Sequence, residues 1–232
     1  IIEPSRTKLI QYTKITGKEF FECNTVVNVF SKGDTFYVEM PVELMGREFL
    51  VTNRLQKVQQ ELNEAGVNKG IVYQNQTLMF ETDSLFKHIT IRQQRITPEV
   101  PADDVIKESV YDNYVNPILA RIKIDAVSPN KESVVFQVNE FFNGSNTCIN
   151  DLFNNINLGT SVISNLSRII SIKAFENNLT ATAELTTKVI EGKSSVNVTS
   201  VVSSTLTLLP KEPMMAREES NRVGYFTVSN LK

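Results

Sequence analysis

From Leu179 to Leu208 the chain carries a pattern that only one kind of local structure satisfies. Leu179, Ala181, Ala183, Leu185, Thr187 and Val189 alternate with polar partners, and Gly192 breaks the run. Val196, Val198, Val202, Leu206 and Leu208 then follow at even spacing. Side chains on an extended strand point to opposite faces in turn, so a period of two marks a sheet with one apolar face. Two such runs around a Gly read as a long antiparallel hairpin rich in β-branched residues. Thr180, Thr182, Glu184 and Lys188, opposite Asn197, Thr199 and Thr205, make its other face wet. Pro210 and Pro213 end it.

The rest of the chain repeats this on a smaller scale. Residues 1 to 20 read as a loose arm with at most one helical turn, and Phe20 to Phe30 as a first β-like run. Ser31 to Asp34 form a turn, Thr35 to Met40 a strand around Phe36, Val38 and Met40, and Pro41 to Gly46 a helical turn closed by Gly. Glu48 to Leu55 is a strand through Phe49, Val51 and Asn53, and residues 56–70 a polar, mobile loop. Strands are expected at Gly70–Tyr73, Thr77–Thr82, His88–Gln93 and Arg168–Phe175. Ile122, Ile124 and Ala126 alternate, as do Val134, Phe136 and Val138.

Two helices are expected. Ile106, Val110, Tyr114 and Ile118 share one helical face behind Asp103 and Asp104, whose carboxylates can cap it. Ile149, Leu152, Phe153 and Ile156 have the spacing of an amphipathic helix of about three turns that stops at Gly159. The fold class is therefore α+β, mainly antiparallel sheet with two or so short packed helices and a long C-terminal hairpin. The expected division is an arm and first strand over 1–30, one β-rich domain over 31–209, and a linker or last strand over 210–232.

Chemistry is bounded by what is scarce. The chain has one His, His88, and two Cys, Cys23 and Cys148. Zinc sites, and most acid–base or nucleophilic chemistry near neutral pH, draw on these residue types. A metal or triad reaction by this chain alone is therefore not expected, and its role reads as binding, structural or accessory. His88 alternates with Thr90 and Arg92 on the polar side of a strand, which makes it a surface or hydrogen-bonded residue. A hydrolase built on His88 needs a Ser, Cys or carboxylate beside it.

Asp103-Asp104, Asp112 and Glu218-Glu219 have the residue type of a glycosidase pair. The first has a capping explanation, and the last lies in a polar, tail-like segment. Nucleotide-binding glycine motifs are absent, and 24 Lys and Arg against 26 acids give no electrostatic grip on nucleic acid. No apolar run is long enough for a transmembrane helix. Cys23 and Cys148 either pair or stay free; their apolar surroundings favour two buried thiols. Asn75, Asn143, Asn165, Asn178 and Asn197 begin glycosylation-type triplets, which chance supplies in a chain this rich in Asn. Phe141-Phe142 and Phe20-Phe21 read as core, and no Trp is present to build a glycan platform.

The last segment carries a resemblance. Leu209-Pro210-Lys211-Glu212-Pro213-Met214, then Arg217 and Arg222-Val223-Gly224-Tyr225-Phe226, resembles a junction in Gram-negative bacterial zinc-dependent metalloproteases of the gluzincin type. Four further stretches resemble the same family in order: Tyr37–Pro41 with Leu44–Val51, Asn116–Leu119, Val134–Phe142, and Ser171–Phe175 with Asn178. Ser220-Asn221 departs from the family's usual Asp-Pro.

The resemblance implies a non-catalytic N-terminal domain upstream of the HExxH catalytic domain. No cofactor is expected in this chain, and zinc belongs to the downstream domain. The implied partner is that peptidase domain, with a protein or peptide substrate, and the implied location is periplasmic, outer-membrane-attached or secreted after signal removal. Arg217, Arg222, Val223, Tyr225 and Phe226 are the candidate interdomain contacts. A stand-alone envelope module that binds glycan or protein is the other reading.

Overall fold

A computed structural model describes residues 6–19, 21–95, 103–191, 194–212 and 214–215. Among these residues eleven strands form two antiparallel sheets. The larger runs β6-β5-β4-β3-β11-β10-β9 and the smaller β1-β2-β8-β7. The strands are β1 Asn28–Lys32, β2 Thr35–Pro41, β3 Glu48–Val58, β4 Val72–Thr82, β5 His88–Gln94, β6 Ile118–Lys123, β7 Ala126–Val127, β8 Ser133–Gln137, β9 Arg168–Ala174, β10 Asn178–Glu191 and β11 Ser194–Leu208.

The hairpin forms as its alternation dictates. β10 and β11 pair from Asn178↔Thr207 to Glu191↔Ser194. Leu179, Ala181, Ala183, Leu185, Val198, Val202 and Leu206 are buried on one face. On the other, Thr180 pairs with Thr205, Thr186 with Thr199 and Lys188 with Asn197. Ser200 and Ser204 also stand on the inner face, where hydroxyls are buried in place of apolar groups.

The two sheets share one core. Val38, Met40, Val134 and Phe136 of the small sheet join Phe49, Val51, Leu78, Phe80, Ile89, Ile91 and Ile122 of the large one. Phe49 and Phe80 meet edge to face at 5.4 Å, the arrangement their ring quadrupoles prefer. An apolar void of about 20 Å³ remains among Val38, Phe49, Phe136 and Leu206, room for little more than one water.

The small sheet does not cover the whole hairpin. The remainder packs against the segment holding α4 Asn139–Phe142 and α5 Leu152–Asn155, where Leu152 and Phe153 meet Leu55, Tyr73, Leu185 and Val202. Side-chain amides fasten that segment to the sheet: Asn53 donates to the carbonyl of Ile149 at 2.8 Å, and Gln74 to that of Thr147 at 2.7 Å.

Several elements differ from their expected form. The N-terminal arm is no loose coil: α1 spans Arg6–Thr16 and ends in left-handed Gly17, whose N–H returns to Thr13. Tyr12 is fully buried against Ala126 and Val135, so tertiary packing holds a helix of modest intrinsic amphipathicity. Residues 21–27 form no strand, although Val26 and Val27 are core.

The expected loop over 56–70 holds the end of β3 and α2 Gln60–Glu64, anchored by buried Leu62. Two expected strands near residues 70–82 are one, with Gln74 in a left-handed kink at φ 47°. The helix after Asp104 shrinks to α3 Lys107–Asp112. Of the expected apolar face, Val110 is half-buried, Ile106 and Tyr114 lie beyond the helix ends and are 57% and 44% exposed, and Ile118 belongs to β6. Of the expected caps, Asp104 accepts from the Ile106 N–H at 3.0 Å. The helix through Ile149 and Ile156 is likewise only α5, yet Ile149, Leu152 and Phe153 are buried. Phe141 and Phe142 are core residues carried on α4.

Candidate functional site

The chain leaves the large sheet at the end of β6 and enters the small one at β7, turning through Ile124 and Asp125. Ile122, Ile124 and Ala126 point inward and are buried, so the alternation forces Arg121, Lys123 and Asp125 to the other side. Gln137 at the end of β8 and Glu140, Phe141 and Asn146 face them. Together these residues line an open cleft of about 280 Å³. Its floor is apolar, from Ile122 and Phe141, and its rim is polar. That mixture is what orients a ligand in a binding site.

Asp125 is fixed at the turn. Its N–H donates to Val135 at 2.8 Å, and its carbonyl accepts from the Gln11 side chain on α1. Burial pushes its carboxyl above the usual range, opposed by the Gln137 N–H that it accepts and by the charge of Lys123. The carboxyl thus satisfies part of the β8 edge that short β7 leaves bare. β6 is itself the outermost strand of its sheet, with no strand partner on its far side among the described residues.

The segment leading into the other end of β6, about 17 Å away at strand spacing, carries apolar side chains that are exposed among the described residues. Val105 is 96% exposed, Val115 74% and Ile118 58%. Asn116 anchors this stretch by donating to the Gln94 side chain at 2.6 Å and accepting at its carbonyl from Arg92 at 3.0 Å. Its exposed side chains therefore sit on a fastened backbone.

The residues singled out from sequence fall elsewhere. Arg217, Arg222, Val223, Tyr225 and Phe226 lie outside the described residues, as do Glu218 and Glu219. His88 is at the surface, its Nδ1 3.8 Å from Asp83. The Lys87 N–H, above all, holds the Asp83 carboxyl below its usual range. Cys23 and Cys148 are both free. Cys148 is buried, and desolvation pushes its thiol up to about 12, so it is not poised as a thiolate. Cys23 is only partly buried and donates to the carbonyl of Thr25.

Among the described residues no three His, Cys, Asp or Glu side chains gather as metal ligands. No helix among them is long and apolar enough to cross a membrane.

Reasoning from sequence did not single out Arg121, Lys123, Asp125 and Glu140. The signal for the first three was present, as the polar half of the Ile122–Ala126 alternation. It also missed the fully buried Glu39, which accepts from Tyr12 at 2.6 Å, Ser133 at 2.5 Å and Asn28 at 2.9 Å.

Comparison with known proteins gives two matches to family models, both domains of unknown function: DUF5118 over residues 26–58 and DUF5117 over residues 70–232. No curated protein and no solved structure matches the chain. The boundary between the families does not fall between structural units. β3, inside the DUF5118 match, lies between β4 and β11 of the DUF5117 match, in the middle of the large sheet. The longer match spans more than half of the molecule, and the chain belongs to the DUF5117 family.

Proposed function

We propose that this chain is a non-catalytic accessory domain of a secreted or periplasmic zinc metalloprotease, packing on the peptidase domain and supporting it or guiding substrate towards it. The five sequence motifs supply the link to that family. The observation that carries the packing role is the set of exposed apolar side chains in the segment leading into β6, Val105, Ile106, Tyr114, Val115 and Ile118. Apolar side chains left in water favour a partner surface, because each forgoes about 25 cal/mol per Å² of burial.

The test begins with the reading frame beyond Lys232. A segment bearing HExxH, produced separately, is expected to bind this chain in titration calorimetry. Val115→Glu with Ile118→Glu is expected to weaken that binding by more than tenfold without altering the circular dichroism. A frame that stops at Lys232, or a peptidase segment that does not bind, removes the proposal. The cleft beside β6 favours the second reading, a stand-alone envelope module for glycan or protein, and that reading survives a stop codon.

A further inference from the structure

We infer that the free edge of β6 is a binding site for an extended peptide of alternating acidic and apolar residues, which adds to the large sheet as an eighth strand. Three features of the same strand point there. First, among the described residues β6 pairs with β5 on one side only, so half of its N–H and C=O groups face away from the sheet with no strand there to receive them. An added strand satisfies such a row of groups, and this is how many domains hold peptides.

Second, the two faces of β6 differ in chemistry. Arg121 and Lys123 are exposed on the solvent face, beside Thr90 and His88 across the β5 pair. Neither makes an ion pair among the described residues. Ile122 between them points the other way, is buried, and with Phe141 floors the cleft whose rim Arg121 and Lys123 share. A strand laid against β6 presents alternate side chains to these two surroundings. Acidic residues fit beside Arg121 and Lys123, and apolar residues fit over Ile122 and Phe141. Glu140 and Asp125 line the same cleft, but Asp125 is committed to the Gln137 N–H, so acidic residues of the peptide are drawn to Arg121 and Lys123 rather than to the Glu140 rim.

Third, charge decides between occupants. A second copy pairing β6 to β6 would bring Arg121 and Lys123 against their equivalents, which like-charge repulsion disfavours. An acidic peptide meets the same pair with attraction, which also speeds its encounter. This site stands on β6 alone and does not depend on a peptidase domain.

The experiment titrates the full 232-residue chain with a capped ten-residue peptide alternating Glu and Val. Binding is followed by fluorescence anisotropy, and amide exchange by NMR. Saturable binding is expected, weaker at high salt, with the outward-facing amides of β6 newly protected from exchange. Arg121→Glu with Lys123→Glu is expected to weaken binding by about tenfold or more, with an unchanged dichroism spectrum. A peptide N-methylated at alternate amides, which leaves the protein untouched, is expected to lose binding when its methyls face β6. Absence of binding, equal affinity for an alternating Lys and Val peptide, or protection confined to other strands would overturn the proposal.

Discussion

Tyr12 donates its hydroxyl to the Glu39 carboxyl at 2.6 Å, joining α1 to the middle of β2 at a point where both side chains are fully buried. Ser133 on β8 donates to the same oxygen, and Asn28 on β1 to the other. One acidic group thus receives donors from a helix and from both neighbouring strands. A buried carboxyl is tolerated when its lone pairs are filled, and is costly when one donor is removed.

Tyr12→Phe keeps the ring that packs on Ala126 and Val135 but deletes that donor. Urea denaturation is expected to show a loss of about 1–3 kcal/mol. Glu39→Gln is expected to couple with it, so that the double variant loses less than the sum of the singles. Strict additivity would mean that the hydroxyl and carboxyl do not interact in solution.

Alkaline pH should unfold this protein early. Burial raises the Tyr73 and Tyr12 hydroxyls above the ordinary Tyr value of 10.0, and the Cys148 thiol from 9.0 to about 12. All three are acids that the fold keeps protonated. Between its ordinary and raised values, each holds its proton in the folded chain and loses it in the unfolded one. Stability therefore falls as pH rises through that window, by up to about 1.4 kcal/mol per pH unit for each group. Unfolding free energy measured upward from about pH 9 is expected to drop steadily. Cys148→Ala is expected to flatten the first part of that decline. A stability that stays level over this range would contradict the burial of all three groups.

The sheet was legible because alternation is local and insistent. The hairpin from Leu179 to Leu208, the turn at Gly33 and the strand through Phe49 and Val51 each carry their instructions in neighbouring residues. Helices were harder. α1 exists because Tyr12 finds Glu39, a partner 27 positions away, and nothing around Tyr12 announces it. Ile106, Val110 and Tyr114 had helical spacing without a surface to cover, so the helix ended early. The cleft eluded the sequence for a related reason: Arg121 and Lys123 look like any solvated strand face until the topology puts β6 at an edge, opposite Gln137 and Glu140. The candidate contacts from Arg217 to Phe226 lie outside the described residues.

The two family matches meet at the connection between β3 and β4, and this gives the last expectation. Residues 26–58 supply β1 and β2 to the small sheet and β3 to the large one. In the large sheet, Val51 pairs with Leu206 on one side and Gln76 on the other. Phe49, Val51 and Leu55 are buried between layers built mainly from residues beyond 70. Neither piece can close its sheet alone: the first lacks neighbours for β3, and the second has β4 and β11 separated by an empty strand position. The connection over 59–69 adds α2 with its anchor Leu62, the partly buried Val67, and Gln59, which accepts from the Thr199 N–H at 2.9 Å. Co-expressed as residues 1–58 and 70–232, the halves are expected to copurify as one folded complex. Each expressed singly is expected to be unfolded by circular dichroism, because burial across β3 is the larger stabilising term and chain continuity the smaller. A folded, soluble 70–232 fragment would show that DUF5117 closes its sheet without its neighbour, and the joint core described for these strands would be wrong.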